Sequence, residues 1–279
     1  MKLELGIPNI ENYQKLLKDE LFLEMEIFSN HFLQDNSRFL ATYNRKWVAD
    51  PLHQWSRRWE YPYVYSMIGQ YLTSRLESEC RVLDAGSGVT FFPYYLISQF
   101  KNIEMICCDY DASFKAIINN INSTSQKTVN FLETNLQEIS LEDESVDILY
   151  CVSVLEHTNN FELIIKEFNR VLKPTGMLII TFDISLDGIS DISPSLAEEL
   201  LQTLAKYFNP LNTIENQPII DAVKNPNILT THYIAQLNRD WLPWKYPLLS
   251  ILKSAFIKRH FPNSLMKNLT FYCQSFKVK

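Results

Sequence analysis

The spacing of apolar positions divides the chain into a helical opening, an alternating middle and a less regular end. Between Glu11 and Leu33, the residues Leu17, Leu21, Met25, Phe28 and Phe32 recur at steps of four, four, three and four, which predicts one amphipathic helix. An aromatic-rich stretch from Phe39 to Tyr71 follows, with Trp47, Trp55, Trp59, Tyr61, Tyr63 and Tyr65. Asp50–Pro51 and Tyr61–Pro62 are expected to break it into short pieces, because a residue before proline is pushed out of helical conformation. Its rings either pack the N-terminal helices on the main domain or, with Arg57, Arg58 and Glu60, line a ligand pocket as a lid.

From Cys80 onward the pattern alternates. Apolar runs at 81–85, 103–108, 129–132, 146–152 and 177–182 read as strands. The segments between them read as helices. Thr90 is a candidate N-cap with Pro93 in the first turn, and Asp111 a candidate cap for a helix carrying Phe114, Ile117, Ile118 and Ile121. A third helix presents Phe161, Ile164, Ile165, Phe168, Val171 and Leu172, and Lys173, Pro174 and Gly176 are expected to end it. Continuous apolar strands alternating with helices predict an α/β fold, a doubly wound and mostly parallel sheet with helices on both faces.

After Asp183 the pattern weakens. Ser193 or Ser195 can start a helix that runs through Leu200 and Leu204 toward Phe208. The segment 246–261 reads as a basic amphipathic helix, and Leu269–Val278 as a late edge strand. The resulting organisation is an N-terminal helical lid or cap (1–78), a sheet core (79–185), a helical substrate-side region (186–267) and a C-terminal edge strand that completes the core sheet (268–279).

Composition narrows the partners. The chain has 279 residues, a net charge of −6 and five cysteines without CxxC spacing. An acidic balance argues against a nucleic-acid partner, because phosphates are neutralised by Lys and Arg. The cysteines are expected to be reduced and buried in a reducing, cytoplasmic compartment. The Glu-rich N-terminus does not read as a secretory signal, and no apolar run is long enough to span a membrane. Residues 241–279 hold seven Lys or Arg and no Asp or Glu. A basic helix at 246–261 suits peripheral contact with anionic lipid or an acidic substrate, and it equally suits burial of its apolar side on its own protein.

The candidate chemistry sits just past the predicted strands, where ligands bind in a doubly wound sheet. The residues there are Asp84–Gly88, Asp109–Asp111, Thr134–Leu136 and Ser153–His157. The chain holds only six glycines, and Gly86 and Gly88 lie one residue apart directly after the first strand. Such a loop lets the backbone turn sharply and lets a ligand approach the main chain. Asp109 follows Gly86 by twenty-three residues, a spacing that suits hydrogen bonds to ribose hydroxyls. No metal-ligand spacing is present.

With VLDAGSG, CCDYD, ETNLQEISLEDESVDIL, and VLEHT before RVLKPTGMLIIT, all in order, residues 81–182 resemble the class I S-adenosylmethionine-dependent methyltransferases of small-molecule type. The resemblance implies a Rossmann-like core and S-adenosylmethionine as cofactor. It implies that Asp84, Ala85, Gly86, Ser87 and Gly88 meet the methionine end, Asp109 the ribose and Tyr110 the adenine face. Asn135 stands where the family usually has Asp, against the adenine amino group; Leu136 would add a backbone N–H and apolar contact, and Ser153 would complete the cofactor set. Glu156 and His157 are candidate catalytic residues, with His157 as general base, or a pair that braces the site. The family's third loop glycine is missing near Val89–Thr90, and its GG pair is Thr175–Gly176.

The activity implied is methyl transfer to an oxygen or nitrogen of a small, hydrophobic or ring-bearing acceptor. Two alternatives remain. A nicotinamide-dependent oxidoreductase would favour a full GxGxxG loop, whereas GSGVTF lacks its last glycine. A non-catalytic relative would serve as a binding protein.

Overall fold

The computed structural model describes residues 3–48, 52–73, 79–188, 191–211, 218–242 and 267–279. The N-terminal apolar stripe forms two helices, α1 (Ile10–Leu16) and α2 (Glu20–Asp35), where the spacing predicts one. Asp19 makes the break: its carboxylate accepts the Leu21 N–H at 3.1 Å and caps α2, and an Asp that bonds its local backbone competes with helix continuation. After α3 (Ser37–Tyr43), α4 (Arg57–Thr73) runs straight through Pro62 and is not broken there. Trp59, Tyr61, Tyr63 and Val64 are all buried around that proline, so packing outweighs the one backbone hydrogen bond it removes.

The alternating middle folds as β1 (Cys80–Ala85), α5 (Phe92–Gln99), β2 (Ile103–Asp109), α6 (Ser113–Asn122), β3 (Asn130–Glu133), β4 (Val146–Val152), α7 (Phe161–Val171) and β5 (Leu172–Ser185). Then follow α8 (Pro194–Tyr207), β6 (Phe208–Pro210) and β7 (Leu269–Val278). The caps are partly as expected. Ser193 caps α8 by accepting the Leu196 N–H at 3.3 Å, and Asp111 accepts the Ser113 N–H at 3.1 Å ahead of α6. Thr90 does not cap α5, which starts after Phe91 with no side-chain cap; the Thr90 side chain instead meets the Tyr61 hydroxyl. Lys173, Pro174 and Gly176 lie inside β5, because α7 already stops at Val171.

The seven strands form one sheet in the order β3-β2-β1-β4-β5-β7-β6. β1 to β5 pair in parallel, and β7 runs antiparallel between β5 and β6. Leu269–Val278 is therefore an interior strand and not the edge; β6 takes the edge. The loose alternation misleads because β7 is covered on both faces, with Phe271, Cys273, Ser275 and Phe276 all buried. Successive side chains of each strand feed two cores. Val82 and Met105 pack beneath α4, α5 and α6, while Leu83 and Ile106 pack beneath α7 and α8. All five cysteines are buried. Among the described residues no helix is long and apolar enough to cross a membrane. The segment 246–261, read from sequence as a basic helix, lies outside the described residues.

Candidate functional site

The glycine loop forms where β1 ends. Gly86 and Gly88 have φ of 78° and 53°, a region L side chains rarely enter, so glycine is required at both. The loop is also tightly covered. A Cβ on Gly86 would lie 2.6 Å from Val154 Cγ2, and one on Gly88 would lie 2.5 Å from Tyr43 Oη. The N-terminal helix α3 thus reaches the loop through Tyr43, whose ring also meets Phe114 edge-on at 5.3 Å. The Gly86 and Ser87 N–H groups donate to the Cys108 carbonyl, which ties the loop to β2.

Asp84 is 6% exposed, and burial pushes its carboxyl up to about 8, helped by Asp109 and opposed by the Tyr150 hydroxyl. Asp109 holds the other side of the loop. Its Oδ2 accepts the Gly88 N–H at 3.1 Å and its Oδ1 the Asp111 N–H at 3.2 Å. Burial raises its carboxyl against these backbone donors. Each carboxylate oxygen has two acceptor sites, so Asp109 retains capacity for ligand hydroxyls. Tyr110 beside it is 71% exposed and presents an open ring. Asn135 is exposed, and its Oδ1 accepts the Gln137 N–H at 2.9 Å. Leu136 is half-buried against the α7–α8 core.

Past β4 the chain turns sharply. Ser153 has φ of 50°, a left-handed conformation for a residue with a Cβ. Its hydroxyl is held from α4: Arg57 Nη1 donates to Ser153 Oγ at 2.7 Å and to Glu60 Oε2 at 2.6 Å, and Ser153 Oγ donates to Glu60 Oε1 at 2.9 Å. Burial works against the Arg57 charge, yet Glu60, Asp183 and Glu156 around it keep the guanidinium firmly protonated. Glu156 is 6% exposed; its Oε1 accepts the Asp183 N–H at 3.0 Å. Burial and the neighbouring Asp183 hold the Glu156 carboxyl far above the usual carboxylate range, and burial with Glu60 raises Asp183. His157 stands at the rim with Nδ1 3.5 Å from Asp191 Oδ1. Partial burial, Arg57 and Lys267 draw its pKa down against Asp191, and its side chain, 60% exposed, keeps that pull modest.

The structure therefore brings together all four sequence-predicted groups at the carboxyl ends of β1, β2, β3 and β4. Of the two readings of the aromatic stretch, core packing is observed, with Trp55, Trp59, Tyr61 and Tyr63 in the core; Arg57 and Glu60 bond each other and Ser153, and Arg58 lies over the Phe22 and Trp241 rings. Tyr43, Asp183 and Asp191 were missed. Asp183 had a signal, since it directly follows the predicted strand 177–182. Tyr43 and Asp191 had none.

Residues 83–180 match the model of the methyltransferase domain. This stretch, about a third of the chain, is similar to a methyltransferase domain. The chain is 31% identical over 107 residues to a ubiquinone biosynthesis O-methyltransferase of Rickettsia typhi, covering 37% of this chain and 41% of that protein. It is 26% identical over 125 residues to the protein of the same name from Rickettsia akari, covering 43% of this chain and 46% of that one. The chain thus matches less than half the length of these relatives. Among solved structures, the [4+2]-cyclase SpnF superposes with a TM-score of 0.50 at 16% identity, covering 83% of this chain and 85% of that one. That protein is named as a cyclase, so the shared architecture carries no reaction with it.

S-Adenosylmethionine is the cofactor that the sequence resemblance implies, and the residues fit it. Two glycines at positive φ form the cradle, a buried carboxyl at Asp84 suits an ammonium group, and Asp109 offers acceptor sites to vicinal hydroxyls. Tyr110 offers a ring face to a base.

Proposed function

We propose that this chain transfers a methyl group from S-adenosylmethionine to an oxygen or nitrogen of a small, hydrophobic or ring-bearing acceptor. The observation that carries this reading is the coincidence of the methyltransferase domain at 83–180 with the cradle of Asp84, Gly86, Gly88 and Asp109. When bound, the cofactor supplies an electrophilic methyl on a sulfonium, already activated, so the protein contributes alignment and exclusion of water. Asp84 would meet the cofactor's ammonium group and Asp109 its ribose end, and Tyr43 lies against the loop at Gly88. The names of the two Rickettsia relatives favour an oxygen acceptor. Five buried cysteines favour a reducing compartment.

An O–H or N–H acceptor must lose a proton. His157, exposed and drawn toward its neutral form, is able to pass that proton to water. Replacing it with Gln is expected to slow turnover several-fold; unchanged turnover would remove His157 from the mechanism.

Calorimetry tests the cofactor directly. S-Adenosylmethionine should bind and NADH should not. Asp109→Ala should weaken S-adenosylmethionine by roughly 100-fold, since hydrogen bonds to a charged group contribute about 1.5–3 kcal/mol each and 1.4 kcal/mol is tenfold. Wild-type affinity in that variant would displace the site, and a missing wild-type response would favour a non-catalytic relative. A search by mass spectrometry for products heavier by one methyl then identifies the acceptor.

A further inference from the structure

Between α4, the turn after β4 and the end of β5 lies a buried charged cluster that the cofactor cradle does not use. Its members come from separate elements: Arg57 and Glu60 from α4, Ser153 and Glu156 from the turn, Asp183 from β5. Arg57 and Glu60 satisfy each other and Ser153, so one carboxylate is neutralised. Among the described residues neither Glu156 nor Asp183 is in an ion pair; Arg57 acts on both through space, and Lys267 on Asp183. Glu156 Oε2 and Asp183 Oδ1 are also both inaccessible to water and without a hydrogen-bond partner among the described residues. Buried carboxyl oxygens with nothing to bond are costly, and native proteins keep them where a ligand supplies the missing donor.

The cluster also adjoins the cradle. Val154, between Ser153 and Glu156, touches the Gly86 position, and Tyr61 stands between Thr90 and Arg57. A group seated at the two free oxygens is therefore beside the end of the loop assigned to the methyl donor.

We propose that Glu156 Oε2 and Asp183 Oδ1 receive the reacting O–H or N–H of an uncharged or cationic acceptor, and that this pair takes up its proton. The assignment rests on the methyltransferase reading given above. In the reaction the acceptor heteroatom forms its bond to the methyl carbon, the bonding pair of the broken S–C bond stays on sulfur, and the heteroatom's proton goes to the carboxylate pair. His157 at the rim then passes it to solvent.

The surroundings make the pair a suitable base. Arg57, Glu60 and Tyr61 face it from α4, Cys151 and His157 from β4 and its turn, Asp191 and Lys267 from the flanking loops, and Cys273 from β7. Burial and the neighbouring like charge raise the Glu156 carboxyl, and burial with Glu60 raises Asp183, so each binds a proton more readily than a free carboxylate. An anionic acceptor would bring further negative charge to carboxyls that Arg57, already paired with Glu60, does not neutralise, and is disfavoured for that reason.

Two measurements test this on the full chain. In infrared spectra at pH 7, wild type minus the variant that combines Asp183→Asn with Glu156→Gln should show a protonated-carboxyl band; Asp84 cancels in the difference. Absence of the band overturns the proton-holding pair. On protein loaded with S-adenosylhomocysteine, benzylamine, phenol and benzoate serve as ring-matched probes in calorimetry. Benzylamine or phenol should bind more tightly than benzoate, and either substitution should weaken the better one at least tenfold. Benzoate binding as tightly, or unchanged affinity in both variants, overturns the acceptor assignment. Failure of S-adenosylhomocysteine to bind counts against the methyltransferase reading instead, and the infrared result stands apart from it.

Discussion

Asp84 shows how one side chain trades stability for binding. Its folded carboxyl titrates near 8, against about 3.9 for an unperturbed Asp. Between those values the folded protein holds a proton that the unfolded chain has released, so its contribution to stability is complete below pH ~4 and declines as pH rises toward 8. Asp84→Asn, which carries no charge to bury, is expected to flatten that decline and to melt above wild type at pH 8. The same change should weaken S-adenosylmethionine, because Asn cannot ionise to meet the ammonium as Asp84 can once the ligand displaces its proton. Thermal melts at pH 5 and pH 8, with calorimetry alongside, check both halves. At this scale the site was largely legible in the sequence: Asp84, Gly86, Gly88 and Asp109 are where the order of strand, loop and strand put them. Asp183 was equally legible by position, one residue past an apolar run, but carried no motif.

At the scale of elements, the turn after β4 depends on helix α4, more than ninety residues away in sequence. Ser153 adopts a left-handed backbone and has its hydroxyl held between Arg57 and Glu60. Ser153→Gly should relieve the backbone while losing the hydroxyl; Ser153→Ala should lose the hydroxyl and keep the strain. Ala is therefore expected to be less stable than Gly by about 1 kcal/mol, measured by urea unfolding, even though Ala is the closer side chain. Local rules erred where a tertiary partner outweighed them. The apolar stripe of 11–33 carried no warning that Asp19 would cap a second helix. Pro62 signalled a break that buried rings on either side overrule.

For the whole molecule, the decisive strand is the last. β7 pairs with β5 over nine registered positions and with β6 over three, and it also bonds Gly6 near the N-terminus. Removing 268–279 should abolish the cooperative thermal transition and not simply lower it, because an interior strand holds both neighbours and both cores. A chain that still melts cooperatively after the deletion would show that β7 is an addition to an already complete sheet. Closure of the site is likewise a property of the whole. Tyr43, Trp55 and Arg57 draw the N-terminal helices onto the sheet, and Trp55 bonds Trp241 through its backbone N–H and meets Phe271 edge-on.

The sequence by itself determined the α/β core, the succession of its five parallel strands along the chain and the residues that follow them. Those follow from local periodicity and turn chemistry, which act over a few residues. Tertiary structure decided where β7 enters the sheet, which residues of the aromatic stretch are core, and what meets the glycine loop. It also decided the charge state of the site. A carboxyl's burial, and the number of other carboxyls sharing one arginine with it, depends on side chains brought together from distant parts of the chain, so no pattern along the chain records it.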